Sequence, residues 1–258
     1  MTILPRSVIQ LVYLAALIVT PAMAAVDKNS EHATTTFRIY KTIVEMDSSK
    51  NSGGATKVAN YLASEFSRAG FSEQDVEVIP VAQTSALVVK YRGKADSSHS
   101  PILFLGHMDV VEALAKDWER PPFTLTQDKG YFFGRGTLDN KFGIAQISGT
   151  FIALKKAGYV PDRDLIIAFS GDEESGMQST RYLARRADLL KADYAINTDA
   201  GGGVLTDDAS AVVYRVQAAE KTYVTFEVEV KNPGGHSSRP RLDNAIYELA
   251  DALKAVQA

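Results

Sequence analysis

The sequence predicts an α/β protein with a largely parallel sheet flanked by helices, on three observations. Short, continuously apolar runs such as Ile102–Leu105 and Leu165–Phe169 read as strands buried on both faces. Longer segments with apolar residues three and four apart, such as 142–157, read as amphipathic helices. Strand and helix signals then alternate along the chain, the pattern of a doubly covered parallel sheet. Composition agrees. The 258 residues are 45% hydrophobic, enough for a full core, and the net charge of −3 makes no case for nucleic acid. With no cysteine, disulfides, thiolate metal sites and cysteine nucleophiles are excluded.

Residues 1–24 read as an export signal. Arg6 supplies the positive start, Val8 to Val19 is apolar except for Gln10, and Ala22-Met23-Ala24 is a small-residue cleavage site. That run is shorter than the roughly 20 residues a membrane span needs. A periplasmic or secreted protein, free of the membrane after cleavage, is expected. Val58, Leu62 and Phe66 then mark a helix that Gly70 ends. Strands are expected at Val76–Val81, Ala86–Tyr91 and Ile102–Leu105, with a polar loop at Ala95–Ser100. A helix follows at Phe142–Ala157, on Ile144, Ile147, Phe151 and Leu154, ending at Gly158. Next come a strand at Leu165–Phe169, a helix at Gly176–Leu190 and a strand at Tyr194–Asn197. From Tyr223 to Lys231 apolar and polar residues alternate strictly, which predicts a half-exposed strand. A loop at Asn232–Pro240 leads into a helix on Ile246, Leu249, Leu253 and Val256. One strand and one helix cannot bury their apolar faces alone. Residues 25–218 are therefore read as one domain, and 219–258 as the start of a second, α+β domain.

The acidic residues fall where chemistry is expected. His107 and Asp109 follow the strand at Ile102–Leu105, and Asp139 opens the helix that ends at Ala157. Glu173 and Glu174 follow Leu165–Phe169, and Asp199 follows Tyr194–Asn197. Ligands of open α/β sheets bind beyond the carboxyl ends of the strands, so these groups should share one crevice. Converging carboxylates repel and raise one another's pKa, which a bound cation resolves. Imidazole with carboxylates and no thiolate suits Zn²⁺, with Mn²⁺ or Co²⁺ also compatible. Four carboxylates and one histidine exceed the needs of one tetrahedral ion and suit two. Asp109 can orient the His107 ring, and one of the adjacent glutamates can bind metal while the other serves as general base. Taken singly, these residues are ordinary caps and turn formers; their order along the chain is the signal.

Five blocks in that order resemble one family: Gly106-His107-Met108-Asp109-Val110-Val111; Trp118 with Pro122-Phe123; Gly134-Arg135-Gly136-Thr137-Leu138-Asp139-Asn140-Lys141; Gly171-Asp172-Glu173-Glu174-Ser175-Gly176; and Asn197-Thr198-Asp199. The family is that of the co-catalytic di-zinc metallopeptidases and amidohydrolases, including glutamate carboxypeptidase, aminoacylase, acetylornithine deacetylase and succinyl-diaminopimelate desuccinylase. The resemblance implies a zinc-binding catalytic domain with an inserted lid that forms a homodimer. It makes His107 a ligand of one zinc, Asp139 the bridge, Glu174 a ligand of the other zinc and Glu173 the general base, with Asp109 supporting His107. Asp199 takes the place of the terminal carboxylate beside His107. Pro233-Gly234-Gly235-His236-Ser237-Ser238-Arg239-Pro240 resembles the lid loop whose histidine polarises the scissile carbonyl of a neighbouring subunit. His32 and His99 match no motif and read as exposed, and Trp118 and Phe123 as packing. The family also places a histidine ligand after the lid, for which this sequence offers no counterpart. Either the sequence is part of a longer protein, or it is a natural truncation with a weak second zinc. Hydrolysis of a small peptide is the expected activity; an N-acyl amino acid deacylase and a non-catalytic metal-binding or dimerisation module are the alternatives.

Overall fold

The computed structural model describes residues 27–199, 202–207, 212–236, 238–239 and 241–257, so the expected export signal at 1–24 lies outside it. The chain divides into two units, one up to Gly202 and one from Gly203. No helix among the described residues is long and apolar enough to cross a membrane.

The first unit opens with α1 (Glu31–Val44), capped by the Ser30 hydroxyl, which accepts the Ala33 N–H at 3.1 Å. Then come α2 (Gly54–Arg68), β1 (Val76–Val81), β2 (Thr84–Tyr91), β3 (Ile102–His107), the small hairpin β4 (Thr126–Asp128) and β5 (Tyr131–Phe133), α3 (Lys141–Lys156), β6 (Leu165–Ser170), α4 (Gln178–Leu183) and β7 (Tyr194–Asn197). Gly70 and Gly158 take positive φ of 91° and 70° just past α2 and α3, as helix-stopping glycines do.

Five strands form one sheet in the order β1-β2-β6-β3-β7. β3, β6 and β7 are parallel, joined by helical crossovers, but β2 pairs antiparallel with both β1 and β6. The sheet is thus mixed: a two-residue turn at Ala82-Gln83 forces the β1/β2 hairpin to be antiparallel. Both faces are covered. On one, Ile39, Ile43, Val58, Leu62, Phe66, Ile144 and Phe151 of α1–α3 pack on Leu87, Val89, Ile167 and Phe169. On the other, Leu183 and Leu189 pack on Ile79, Ala86, Val88, Ile166 and Ala168. Phe66 is fully buried and meets Phe71 edge-on at 5.3 Å. Phe66→Ala is expected to cost about 3–5 kcal/mol, read as a fall in the denaturant midpoint; a loss under about 1 kcal/mol contradicts this packing.

Two expected elements differ. The helix expected over Gly176–Leu190 is reduced to the six residues of α4 and a separate 3₁₀ turn at Leu189–Lys191. Leu183 and Leu189 both sink into the same core, yet six residues along one continuous helix would set them about 120° apart. The helix therefore breaks between them, and Arg186, hydrogen-bonded to Asp188 and Glu77, fixes the bend. The strand expected over Tyr223–Lys231 carries no strand structure, and Tyr223 and Phe226 are 89% and 84% exposed. A strand needs a neighbour to complete its ladder, and none of the described elements pairs with this segment.

The second unit holds β8 (Gly202–Leu205), whose first residue marks the division, β9 (Val212–Arg215) and α5 (Ala245–Gln257). β8 and β9 form their own two-stranded sheet, so the boundary expected at 218/219 falls within this unit.

Candidate metal centre

The parallel strands end side by side, and the chain leaves each of them through an acidic segment. β3 pairs with β6 up to His107↔Ser170 and with β7 up to Leu105↔Asn197. His107 is therefore delivered by β3, Glu173 and Glu174 by the turn after β6, and Asp199 by the residues after β7. Asp139 immediately precedes Asn140, the N-cap of α3, across a cis peptide bond.

The His107 ring is buried, with Nδ1 3.1 Å from the Asp109 carbonyl oxygen and 3.4 Å from Asp109 Oδ1. Its Nε2 faces Asp139 Oδ1 at 2.8 Å and Asp199 Oδ1 at 3.4 Å. Ligand atoms of His107, Glu173 and Asp199 lie within 4.8 Å of one another, and so do those of His107, Asp139 and Glu174. Of the seven residues expected at the site, six converge here. His236 belongs to the second unit, where it is exposed and its Nδ1 accepts the Ser238 N–H at 3.2 Å. Ser237 and Pro240 of that loop lie outside the described residues. His32 and His99 are exposed, as expected, and the Arg135 guanidinium lies 5.2 Å over the half-buried Trp118 ring.

Asp109 does more than orient the imidazole. Its Oδ1 accepts the Glu173 N–H at 2.9 Å and its Oδ2 the Glu174 N–H at 3.0 Å, so one buried carboxylate fixes both glutamates. Asp172 holds the other side of that turn. It accepts the Gln178 and Ser179 N–H groups at 2.7 and 2.9 Å and the Ser179 hydroxyl. Buried Lys141 donates to the Met46 carbonyl at 2.7 Å; burial brings its pKa down to about 7 against the pull of Asp47 and Asp109. Tyr40, buried and pushed up to about 12, donates to the Thr137 carbonyl at 2.8 Å and steadies the loop before Asp139. Asp172, Lys141, Asn140 and Thr198 stand within the sequence motifs, but only the fold reveals their partners.

Electrostatics and donor chemistry both fit a metal cation. Burial raises the carboxyls of Glu173 and Glu174, and neighbouring carboxylates add to it: chiefly Asp199 for Glu173 and Asp139 for Glu174. Burial opposes protonation of His107, but its hydrogen bond to Asp109 and the charges of Asp109, Asp199 and Asp139 outweigh it and bring it to about 9. Such a field retains protons where a cation is absent and favours a cation at His107 Nε2.

Comparison with known proteins places this geometry. The sequence profile of peptidase family M20/M25/M40 matches residues 103–257. The chain is 32% identical over 202 residues to the N-fatty-acyl-amino acid synthase/hydrolase PM20D1 of Xenopus tropicalis, covering 72% of this chain and 39% of that protein. It is 31% identical over 212 residues to a probable succinyl-diaminopimelate desuccinylase of Staphylococcus aureus, covering 81% and 48%. Human carnosine dipeptidase 1 shares the fold, with a TM-score of 0.56 at 19% identity over 66% of this chain and 39% of that one. The chain spans roughly a third to a half of the length of such curated relatives. The family match, five ordered motifs and one crevice of histidine and carboxylates agree: this chain belongs to the M20/M25/M40 peptidase family.

Proposed function

We propose that the protein is a zinc-dependent hydrolase of the amide bond in a small peptide or N-acyl amino acid. The observation that carries this reading is the convergence of His107, Asp139, Glu173, Glu174 and Asp199 at the ends of β3, β6 and β7. His107 and Asp199 would hold one Zn²⁺, Glu174 the other, and Asp139 would bridge them. When bound, zinc supplies Lewis-acid polarisation of the carbonyl and acidifies water. Glu173 takes the proton of the attacking water and delivers it to the leaving amine. Asp109 keeps Glu173 and Glu174 diverging from one turn. His236, from the lid of a second copy in a homodimer, would donate to the developing oxyanion. Export rests on residues 1–24 alone.

Relatives named N-fatty-acyl-amino acid synthase/hydrolase and probable succinyl-diaminopimelate desuccinylase favour the N-acyl amino acid as a second substrate class. The test is chelator-stripped protein reloaded with Zn²⁺ and assayed on a dipeptide and on an N-acetyl and a long-chain N-acyl amino acid. Zinc-dependent release of free amine is expected, and the better substrate assigns the class. Stoichiometric zinc binding without turnover of any of the three would replace the hydrolase reading with that of a metal-binding module.

A further inference from the structure

Asp199 reaches the cluster from the rim of the sheet. It follows β7, an edge strand whose four residues are all exposed and whose ladder with β3 ends at Asn197. Thr198, the residue between ladder and ligand, is half-buried and tied to two neighbouring elements. Its N–H donates to the Leu105 carbonyl at 3.2 Å, and its hydroxyl lies 3.1 Å from both that carbonyl and Asn140 Oδ1. Asn140 is 1% exposed and directly follows Asp139. Leu105 lies two residues before His107. The Thr198 side chain thus touches the backbone that delivers His107 and the side chain next to Asp139.

Two glycines clear the space for it. A Cβ on Gly143, in the first turn of α3, would stand 2.4 Å from Thr198 Oγ1 and 2.5 Å from its Cβ. A Cβ on Gly106 would stand 2.8 Å from Asn140 Oδ1 and 3.2 Å from Thr198 Oγ1. Real Cβ atoms essentially never approach other heavy atoms within 3.0 Å, so any larger residue at Gly143 displaces the threonine.

We infer that Thr198 is a positioning residue: its hydroxyl, seated between Gly106 and Gly143 against Asn140, sets Asp199 at the same metal as His107 and Asp139. This rests on the metal-centre reading above. Thr198 acts through the place it gives Asp199.

The test reads metal binding rather than turnover. Metal-free wild-type, Thr198→Val, Thr198→Ser and Gly143→Ala proteins are titrated with Zn²⁺ against a competing chelator, with thermal midpoints measured alongside. Valine keeps the shape of threonine and removes only the hydroxyl. Thr198→Val is expected to keep its apo midpoint within a few degrees while the tighter zinc dissociation constant rises about 10–100-fold, as when groups that orient ligands are removed. Thr198→Ser is expected to stay within a few-fold of wild type, and Gly143→Ala to weaken zinc as valine does. Wild-type affinity in Thr198→Val, or equal loss in valine and serine variants, would overturn the positioning role while the metal centre stands. A wild-type protein that binds no zinc would overturn both.

Discussion

Glu173→Gln is expected to keep its zinc and lose about 10²–10⁴ of kcat. Glutamine preserves the side chain's size and its backbone N–H bond to Asp109 Oδ1, so the turn stays in place and only the proton acceptor is gone. Glu173 suits that role better than its neighbour does. It is half-buried, where Glu174 is exposed. Burial, reinforced by Asp199, Asp109 and Asp139 and opposed by His107, raises its carboxyl above the ordinary glutamate range. A raised pKa makes a stronger base near neutral pH. Glu174→Gln provides the contrast: it should release metal before it lowers turnover at saturating zinc. Zinc analysis and kcat on the same samples settle the pair. Near-normal turnover in Glu173→Gln removes the base assignment, and loss of its zinc makes Glu173 a ligand instead.

The catalytic layer was largely legible because each strand announces itself by composition. Ile102–Leu105 and Leu165–Phe169 are apolar on both faces, since helices cover both sides of the sheet. The residues just past such strands could then be placed in one crevice without knowing strand order. Strand direction was less legible. The runs of β1 and β2 look like any buried strand, and only the two-residue turn between them dictates antiparallel pairing. The helix over 176–190 misled because its apolar residues fit a helical period locally, whereas the core needs Leu183 and Leu189 on one side. The strand over 223–231 misled differently. Alternation reports which residues would face a core, but supplies neither the core nor a pairing partner. Within the site, residue type and order pointed to His107, Asp139, Glu174 and Asp199. The groups that hold them, Asp109 on two backbone amides and Thr198 on Asn140, depend on contacts 58 to 65 residues apart in sequence. No local pattern encodes such a contact.

His107→Ala is expected to abolish stoichiometric zinc binding and, with it, turnover. His107 is the one nitrogen donor among the converging groups and belongs to both candidate ligand sets. Carboxylates alone match magnesium, calcium or manganese better than zinc, so removing the imidazole weakens the site and erodes its preference for zinc. The surroundings cannot relax to replace it. The ring is 2% exposed and carried on β3 between two parallel neighbours, and its Nδ1 is engaged by Asp109. Alanine there leaves Asp139 Oδ1 without its 2.8 Å partner and Asp199 Oδ1 without its 3.4 Å one. Four carboxylates would then face one another with no cation among them except what they recruit from solvent. Metal analysis after gel filtration, with circular dichroism to verify the fold, checks this. Unchanged zinc content in folded His107→Ala would show that the ion sits elsewhere, and would remove the basis for assigning Asp139 and Asp199 as its ligands. Zinc loss from His107→Ala beside zinc retention in Glu173→Gln would separate the group that holds the metal from the group that moves the proton.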